Sequence, residues 1–307
     1  MNVLVVGAGI AGLACARELV DAGIPARVVE RGRVVGGRLA SKRLDGRYAD
    51  IGAAYLTADD PSFRGRLDGW RIAGLARPWT DTLLAFDGVG ATPHPTTGPM
   101  RWSAPGGLRS LAEDLARGLD LTLDHEITSL PAQSDPIVLA MPGPEARLLT
   151  ALAAAREQRW SPALAAVLTY PERVWADFHG AFVNDHPVLA TLCDDGDRRG
   201  DRAPVLVAHS TGAFAQPHLA DPAGAADDLA TAVAELLRIN DKPHVYVHRW
   251  TWAQPEPRTG LFAQEGNVYL AGDAFGRPRV QTAWLSGRAV ARAILQRTRQ
   301  RTDPLEN

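Results

Sequence analysis

The chain opens on an apolar run, residues 2–6, that breaks at Gly7-Ala8-Gly9-Ile10-Ala11-Gly12. It resumes with Leu13, Ala16, Arg17 and Val20 at helical spacing. This order predicts a strand, a tight turn and a helix over about 10–22, with Gly23 as a left-handed stop. A second short strand at 27–29 ends on Glu30. Further along, 83–86 is a short apolar excursion closed by the turn signal Asp87-Gly88, 110–116 has helical periodicity, and 119–123 with Ile127 alternates as strands. The run 137–141 is cut off by Pro142-Gly143-Pro144. Four more β-like runs follow at 163–170, 188–193, 205–209 and 245–250. Between the last two, 225–239 reads as a helix with Leu229, Val233, Leu236 and Leu237 on one face. Residues 194–202, highly charged and holding two glycines, read as a mobile surface loop. A strand at 267–271 runs into Gly272-Asp273, and a final helix opens at Val280.

The glycine pattern has a chemical reason. Gly7 permits a tight turn, Gly9 lets backbone approach a pyrophosphate, Gly12 allows close helix-on-strand packing, and the N–H groups of Ile10, Ala11 and Gly12 face negative charge at the helix start. Glu30, a little over twenty residues on, is placed to accept hydrogen bonds from ribose hydroxyls, with Arg31 beside it. Gly36-Gly37-Arg38 adds a second close approach and a cation for a phosphate, a signature that plain nicotinamide dehydrogenases lack.

The Gly-Gly-Arg and the late Gly272-Asp273 together resemble the flavoproteins of the amine-oxidase superfamily. That resemblance implies FAD, and with no cysteine or histidine in a recognisable flavinylation motif the FAD is expected to be noncovalent. Gly272 and Asp273 would hold a ribityl or pyrophosphate oxygen, or Gly-Asp is an ordinary turn with a cap. Gln281, Thr282 and Ala283 would form the helix start facing the flavin's pyrimidine end, and the backbone beside Ile127 would hold the adenine. A further series is similar to the bacterial renalase-like branch: residues 48–57 with Asp60-Pro61, which contain Gly52 and Ala53 as cofactor contacts, then 104–108, 207–210 and 247–250. The implied architecture is mixed α/β: a Rossmann-type FAD-binding domain with a parallel sheet, plus an α+β domain with a mainly antiparallel sheet, like amine oxidases and p-hydroxybenzoate hydroxylase. At 307 residues the chain exceeds the usual size of one core. We assign 1–75, 103–141 and 253–307 to a discontinuous FAD-binding domain, and 76–102 and 142–252 to a substrate domain.

The branch is associated with oxidising 2- and 6-dihydro isomers of NAD(P)H to NAD(P)⁺, with O₂ reduced to H₂O₂. Oxidation of a small amine is the alternative, and a noncatalytic flavin-binding protein a third. Flavin amine oxidases typically keep a lysine linked through water to the flavin N5, yet Lys42 and Lys242 are the only lysines in this chain. A dihydropyridine gives up hydride without a base, which suits a site lacking lysine. Candidate substrate contacts are Trp284, His209, His248, Trp250 and Trp102, each with a competing structural role: core packing for the tryptophans, hydrogen bonding for the histidines. Arg249 would meet a substrate phosphate or form an ion pair. No protein side chain is assigned to the chemical step itself.

Composition narrows the classes. A formal charge of −2 argues against nucleic acid or a membrane surface as partner, and no protein partner is inferable. Eight histidines and two cysteines show no metal-ligand spacing, and Cys15 reads as a small buried packer. With the first strand at the N-terminus and no span-length apolar run, the expectation is a cytoplasmic protein.

Overall fold

The computed structural model describes residues 1–302, which form two compact units. The first comprises 1–39, 111–160 and the residues from 255 onward. Its six-stranded sheet runs in the order Ala263–Glu265, Val268–Leu270, Ile137–Leu139, Val3–Val6, Ala26–Val29, Asp120–Thr122. All its pairs are parallel except Ala263–Glu265 with Val268–Leu270. Parallel strands covered on both faces read as continuous apolar runs, which is why Val3, Val5, Val28, Val138 and Leu139 are all fully shielded from water. The helix Ile10–Asp21 stops where predicted, with Gly23 at φ +79° and its N–H on Val20 O at 3.0 Å. It packs against the last helix, Val280–Thr302, so closely that a Cβ added at Gly287 would lie 1.9 Å from Ala11 O.

The second unit comprises 40–110 and 161–254. Its seven-stranded sheet is ordered His244–Pro255, Trp160–Thr169, Val205–Ser210, Leu189–Asp194, Gly180–Asn184, Arg77–Asp87, His94–Ser103. Gly180–Asn184 pairs parallel with Arg77–Asp87, and the other registered pairs are antiparallel. Strand Trp160–Thr169 is buried on both faces. Leu164, Ala166 and Leu168 join the core under helix Ala226–Leu237 through Leu229 and Val233, while Ala165 and Val167 pack with Ala49 and Ile51 on the other side. Ser41–Leu44 and Arg47–Asp50 form a separate hairpin. Asp60 caps helix Pro61–Ile72 by accepting from the N–H groups of Ser62 and Phe63 at 2.8 and 3.0 Å.

Several expectations need correction. Segments 40–75 and 103–110 pack within the second unit and 142–160 within the first, the reverse of the assignment from sequence. The reason is that the hairpin feeds Ala49 and Ile51 into the second unit's core, whereas Ala146, Leu152 and Ala155 pack with Ile137 and Leu139. The excursion at 83–86 is the middle of the eleven-residue strand Arg77–Asp87. Ile127 lies outside any strand, half-buried against the first unit's core.

The largest departure is at 194–202. Instead of a mobile surface loop it contains the short helix Asp195–Arg199, in which Asp195 and Arg198 are completely buried and Arg199 is 7 % exposed. A run of mixed charge usually marks a solvated face. Here the opposite charges pair with one another and with neighbouring segments: Asp194 pairs with Arg173 at 2.6 Å and accepts from Trp175 Nε1 at 2.8 Å, and Asp195 pairs with Arg47 at 2.5 Å and with Arg198. Cys15 is buried as expected, its thiol pKa pushed up by the loss of solvent. Among the described residues no helix is long and apolar enough to cross a membrane.

Candidate functional site

In the first unit the glycines of the turn act as spacing requires. Gly7 sits at φ +108° and donates its N–H to Val29 O at 2.8 Å, and a Cβ there would stand 2.5 Å from Ala140 O. A Cβ on Gly12 would lie 2.0 Å from Gly7 O. Gly9 is different: a Cβ there meets nothing within 4 Å, so backbone faces open space where a ligand would come close. Gly9 caps its helix without any side-chain hydrogen bond, which leaves the first-turn N–H groups of Ile10, Ala11 and Gly12 without the usual side-chain acceptor.

Two further segments close around this turn. Gly36 donates to Ala8 O at 2.8 Å and bridges to Gly9, and Gly37, at φ +52°, brings its backbone against Gly9. Glu30 accepts from the N–H of Ala8 at 2.8 Å through Oε2 and from that of Gly32 at 2.7 Å through Oε1. Its carboxylate is thereby fixed at the strand end with acceptor capacity remaining for hydroxyls. An open backbone cradle, a bare helix start and an oriented acid fit the diphosphate and ribose of a dinucleotide.

Arg38 and Asp273, read separately in the sequence as cofactor contacts, are brought together in a bidentate pair at 2.8 and 2.5 Å, with the guanidinium 4.8 Å above the Trp160 ring. The Gly272 N–H donates to Ser286 Oγ at 2.9 Å; sequence reading missed Ser286, a buried hydroxyl in the second turn of the last helix. In that helix Gln281 and Ala283 are buried and Thr282 donates to Arg277 O at 2.6 Å. Trp284 is also buried, with Arg288 stacked 4.5 Å over its ring. Arg288 and Arg292 both hold Glu18 of the first helix, and although burial opposes it they keep that carboxyl below its usual range. Arg31 points elsewhere, to an exposed pair with Glu145 at 2.6 Å.

In the second unit the structure gathers residues that the sequence presented separately. Ile51 O accepts from Trp250 Nε1 at 2.7 Å and lies 3.2 Å from His209 Nε2, which must carry the proton because a carbonyl only accepts. Burial pushes the His209 imidazole down to about 4, partly opposed by that hydrogen bond and reinforced by Arg198. His248 packs edge-on against Trp250, ring centroids 4.6 Å apart, and burial with Lys42 and Arg249 nearby lowers its pKa too. Trp102 is half-buried in an isolated bridge with Leu56. Arg249 donates to Leu219 O at 2.6 Å. Lys42 is exposed, its Nζ 5.2 Å from the Tyr246 ring centre. Gly52 and Ala53 follow Ile51 in an irregular, half-buried stretch.

Cradle, sheet order and late glycine–aspartate define a flavin-binding α/β protein, and comparison with known proteins agrees. The flavin-containing amine oxidoreductase family matches residues 91–295, about two thirds of the chain, and an NAD(P)-binding Rossmann-like domain matches residues 5–68. The chain belongs to the flavin-containing amine oxidoreductase family. It is 40 % identical over 101 residues, 32 % of its length, to a putrescine oxidase of Kocuria rosea, and 43 % identical over 65 residues, 20 % of its length, to an L-amino-acid oxidase of Siganus canaliculatus. These matches span only 20 % and 12 % of those relatives' own lengths. In fold it is similar to a putrescine oxidase solved bound to putrescine (TM-score 0.75, 16 % identity, 96 % of this chain and 99 % of that one). It is also similar to a putative protoporphyrinogen oxidase from Exiguobacterium sp. 255-15 (TM-score 0.78, 15 % identity, the same coverages).

Proposed function

We propose that this chain is an FAD-dependent oxidase of renalase type, binding FAD noncovalently and oxidising the 2- and 6-dihydro isomers of NAD(P)H to NAD(P)⁺. When bound, FAD supplies an N5 that accepts hydride and an electron pair that reduces O₂ to H₂O₂. The chain's residues hold and orient. The N–H groups at Ile10, Ala11 and Gly12 and the open backbone at Gly9 take the diphosphate, Glu30 takes the adenosine ribose, and the Arg38–Asp273 pair sets the charge beside the phosphate and ribityl chain. Ile127 and the first turn of the last helix complete the contacts within the first unit.

The observation that carries the substrate class is the placement of lysine. Residues 43–241 contain none, and Lys42 is exposed on a hairpin and spent on the Tyr246 ring. Oxidising an amine requires that it first be deprotonated, whereas a dihydropyridine releases hydride and becomes aromatic without a base. The local identity to putrescine oxidase supports a second reading, oxidation of a small amine. Anaerobic mixing of the yellow protein with prepared dihydronicotinamide isomers, and separately with putrescine and simple amines, decides between them through loss of the visible flavin band. Bleaching by the isomers alone is expected; bleaching by amines alone overturns the proposal.

A further inference from the structure

Three arginines of the second unit are almost wholly buried, and two of them have a counter-ion: Arg198 pairs with Asp195, and Arg199 with Asp50. Arg101, 4 % exposed on strand His94–Ser103, has no carboxylate partner among the described residues. It donates from Nη1 to Asp81 O at 2.7 Å, and its Nε is buried with nothing to donate to. The Tyr55 and Phe182 rings lie 5.3 and 5.7 Å from the guanidinium carbon, which holds the fork but supplies no formal negative charge. A buried cation in that setting is costly until an anion completes it. Two residues on, and so on the same face of the strand, the Ser103 hydroxyl is buried and unpartnered as well.

The strand is also irregular where the guanidinium ends. Thr80 pairs with Arg101 and Thr82 with Thr97, so residues 98–100 bulge out of the ladder opposite Asp81 alone. Gly98 stands in that bulge: a Cβ there would come within 3.3 Å of Arg101 Nη2, and its three nearest atoms would all belong to the guanidinium. Its φ lies outside the left-handed region, so backbone conformation does not call for glycine here. Gly98 is exposed, and having no side chain it leaves the end of the fork uncapped on that side.

We infer that Arg101 is a recognition site for an oxyanion, the phosphate or carboxylate group of a small ligand, which approaches past Gly98 and makes a charge-assisted contact with the fork. The site is built from the second unit alone. The inference deepens the proposed function and rests on that reading for the ligand's identity: a dihydronicotinamide dinucleotide brings a phosphate, whereas a carboxylate would come from an amino acid.

The test is calorimetric titration of the FAD-loaded protein with two matched pairs of ligands. Nicotinamide mononucleotide and nicotinamide riboside differ by one phosphate; ornithine and putrescine differ by one carboxylate. Wild type is expected to bind the mononucleotide at least about tenfold more tightly than the riboside. That advantage should fall to within about twofold in Arg101→Met, and shrink about threefold or more in Gly98→Ala, whose methyl caps the fork without straining the backbone. Should Arg101→Met fail to fold, Gly98→Ala decides. An advantage confined to ornithine and lost in the variants keeps the role of Arg101 and moves the substrate to an amino acid. No advantage for either pair in wild type, or one undiminished in the folded variants, overturns the inference and leaves Arg101 a structural prop of the bulge. Flavin bleaching reads the proposed reaction separately: bleaching by the isomers without a phosphate advantage keeps the reaction and sinks the inference, and an Arg101-dependent advantage without bleaching does the reverse. If the protein takes up no FAD, the proposed function falls, and the same titrations on the protein as purified still decide the inference.

Discussion

Replacing Gly9 by alanine separates what the cradle needs to fold from what it needs to bind. The backbone there is at φ −72°, ψ 174°, an extended conformation open to any residue, and the added methyl would meet nothing within 4 Å. The apoprotein should therefore lose no stability; at such a position Gly→Ala typically adds about 0.4 to 1 kcal/mol by restricting the unfolded chain. The same methyl fills the space through which a diphosphate reaches the helix N–H groups. Losing one hydrogen bond from a backbone N–H to a charged oxygen costs about 2 kcal/mol, or roughly thirtyfold in affinity. FAD titration followed by flavin fluorescence, alongside thermal unfolding of the apoprotein, reads the two quantities separately. Gly12→Ala is the contrast: its Cβ would fall 2.0 Å from Gly7 O and should impair folding itself. A Gly9→Ala protein that binds FAD within roughly twofold of wild type would refute placing the phosphates above Gly9.

Three further outcomes follow from the geometry. His209 is held neutral in the folded protein, with a pKa of about 4 against about 6.5 when unfolded, so the unfolded state binds the extra proton and stability falls as pH drops from about 6.5 toward 4. Relative to a His209→Phe variant, wild type should lose about 2 kcal/mol in urea unfolding between about pH 7 and pH 5, and a pH-independent difference would contradict the assignment. Asp195→Asn removes the carboxylate paired directly with the buried Arg198 and should cost about 3 to 5 kcal/mol, read as lost soluble yield or a collapsed melting temperature; a melting temperature within about 2 °C of wild type would refute this charge balance. Gly287→Ala drives a methyl into Ala11 O where the first and last helices cross and should destabilise by about 2 to 3 kcal/mol in thermal unfolding.

The dinucleotide cradle was legible in the sequence because every requirement in it is local. Gly7, Gly9 and Gly12 sit within six residues, and Glu30 directly follows the strand that pairs with the first, Val6 opposite Val29. The parallel sheet was legible for the same reason, through unbroken apolar runs such as 137–141. What spacing could not supply was pairing at long range. Nothing in the composition of 194–202 reveals that Arg198 and Arg199 are buried, since a run of mixed charge looks the same whether its partner is solvent or, as here, Asp50, 149 residues away from Arg199. Burial lifts the Asp50 pKa even with both arginines pulling against it, a measure of how little water is left there. Likewise His209 and Trp250, forty-one residues apart, become one pair of donors only because strands Val205–Ser210 and His244–Pro255 both flank Trp160–Thr169 and converge on Ile51 O. Local chirality, glycine freedom and hydrophobic period wrote the cradle and the elements into the chain. The exchange of solvent for a partner at a buried charge depends on which distant segments meet, and that only the tertiary structure decided.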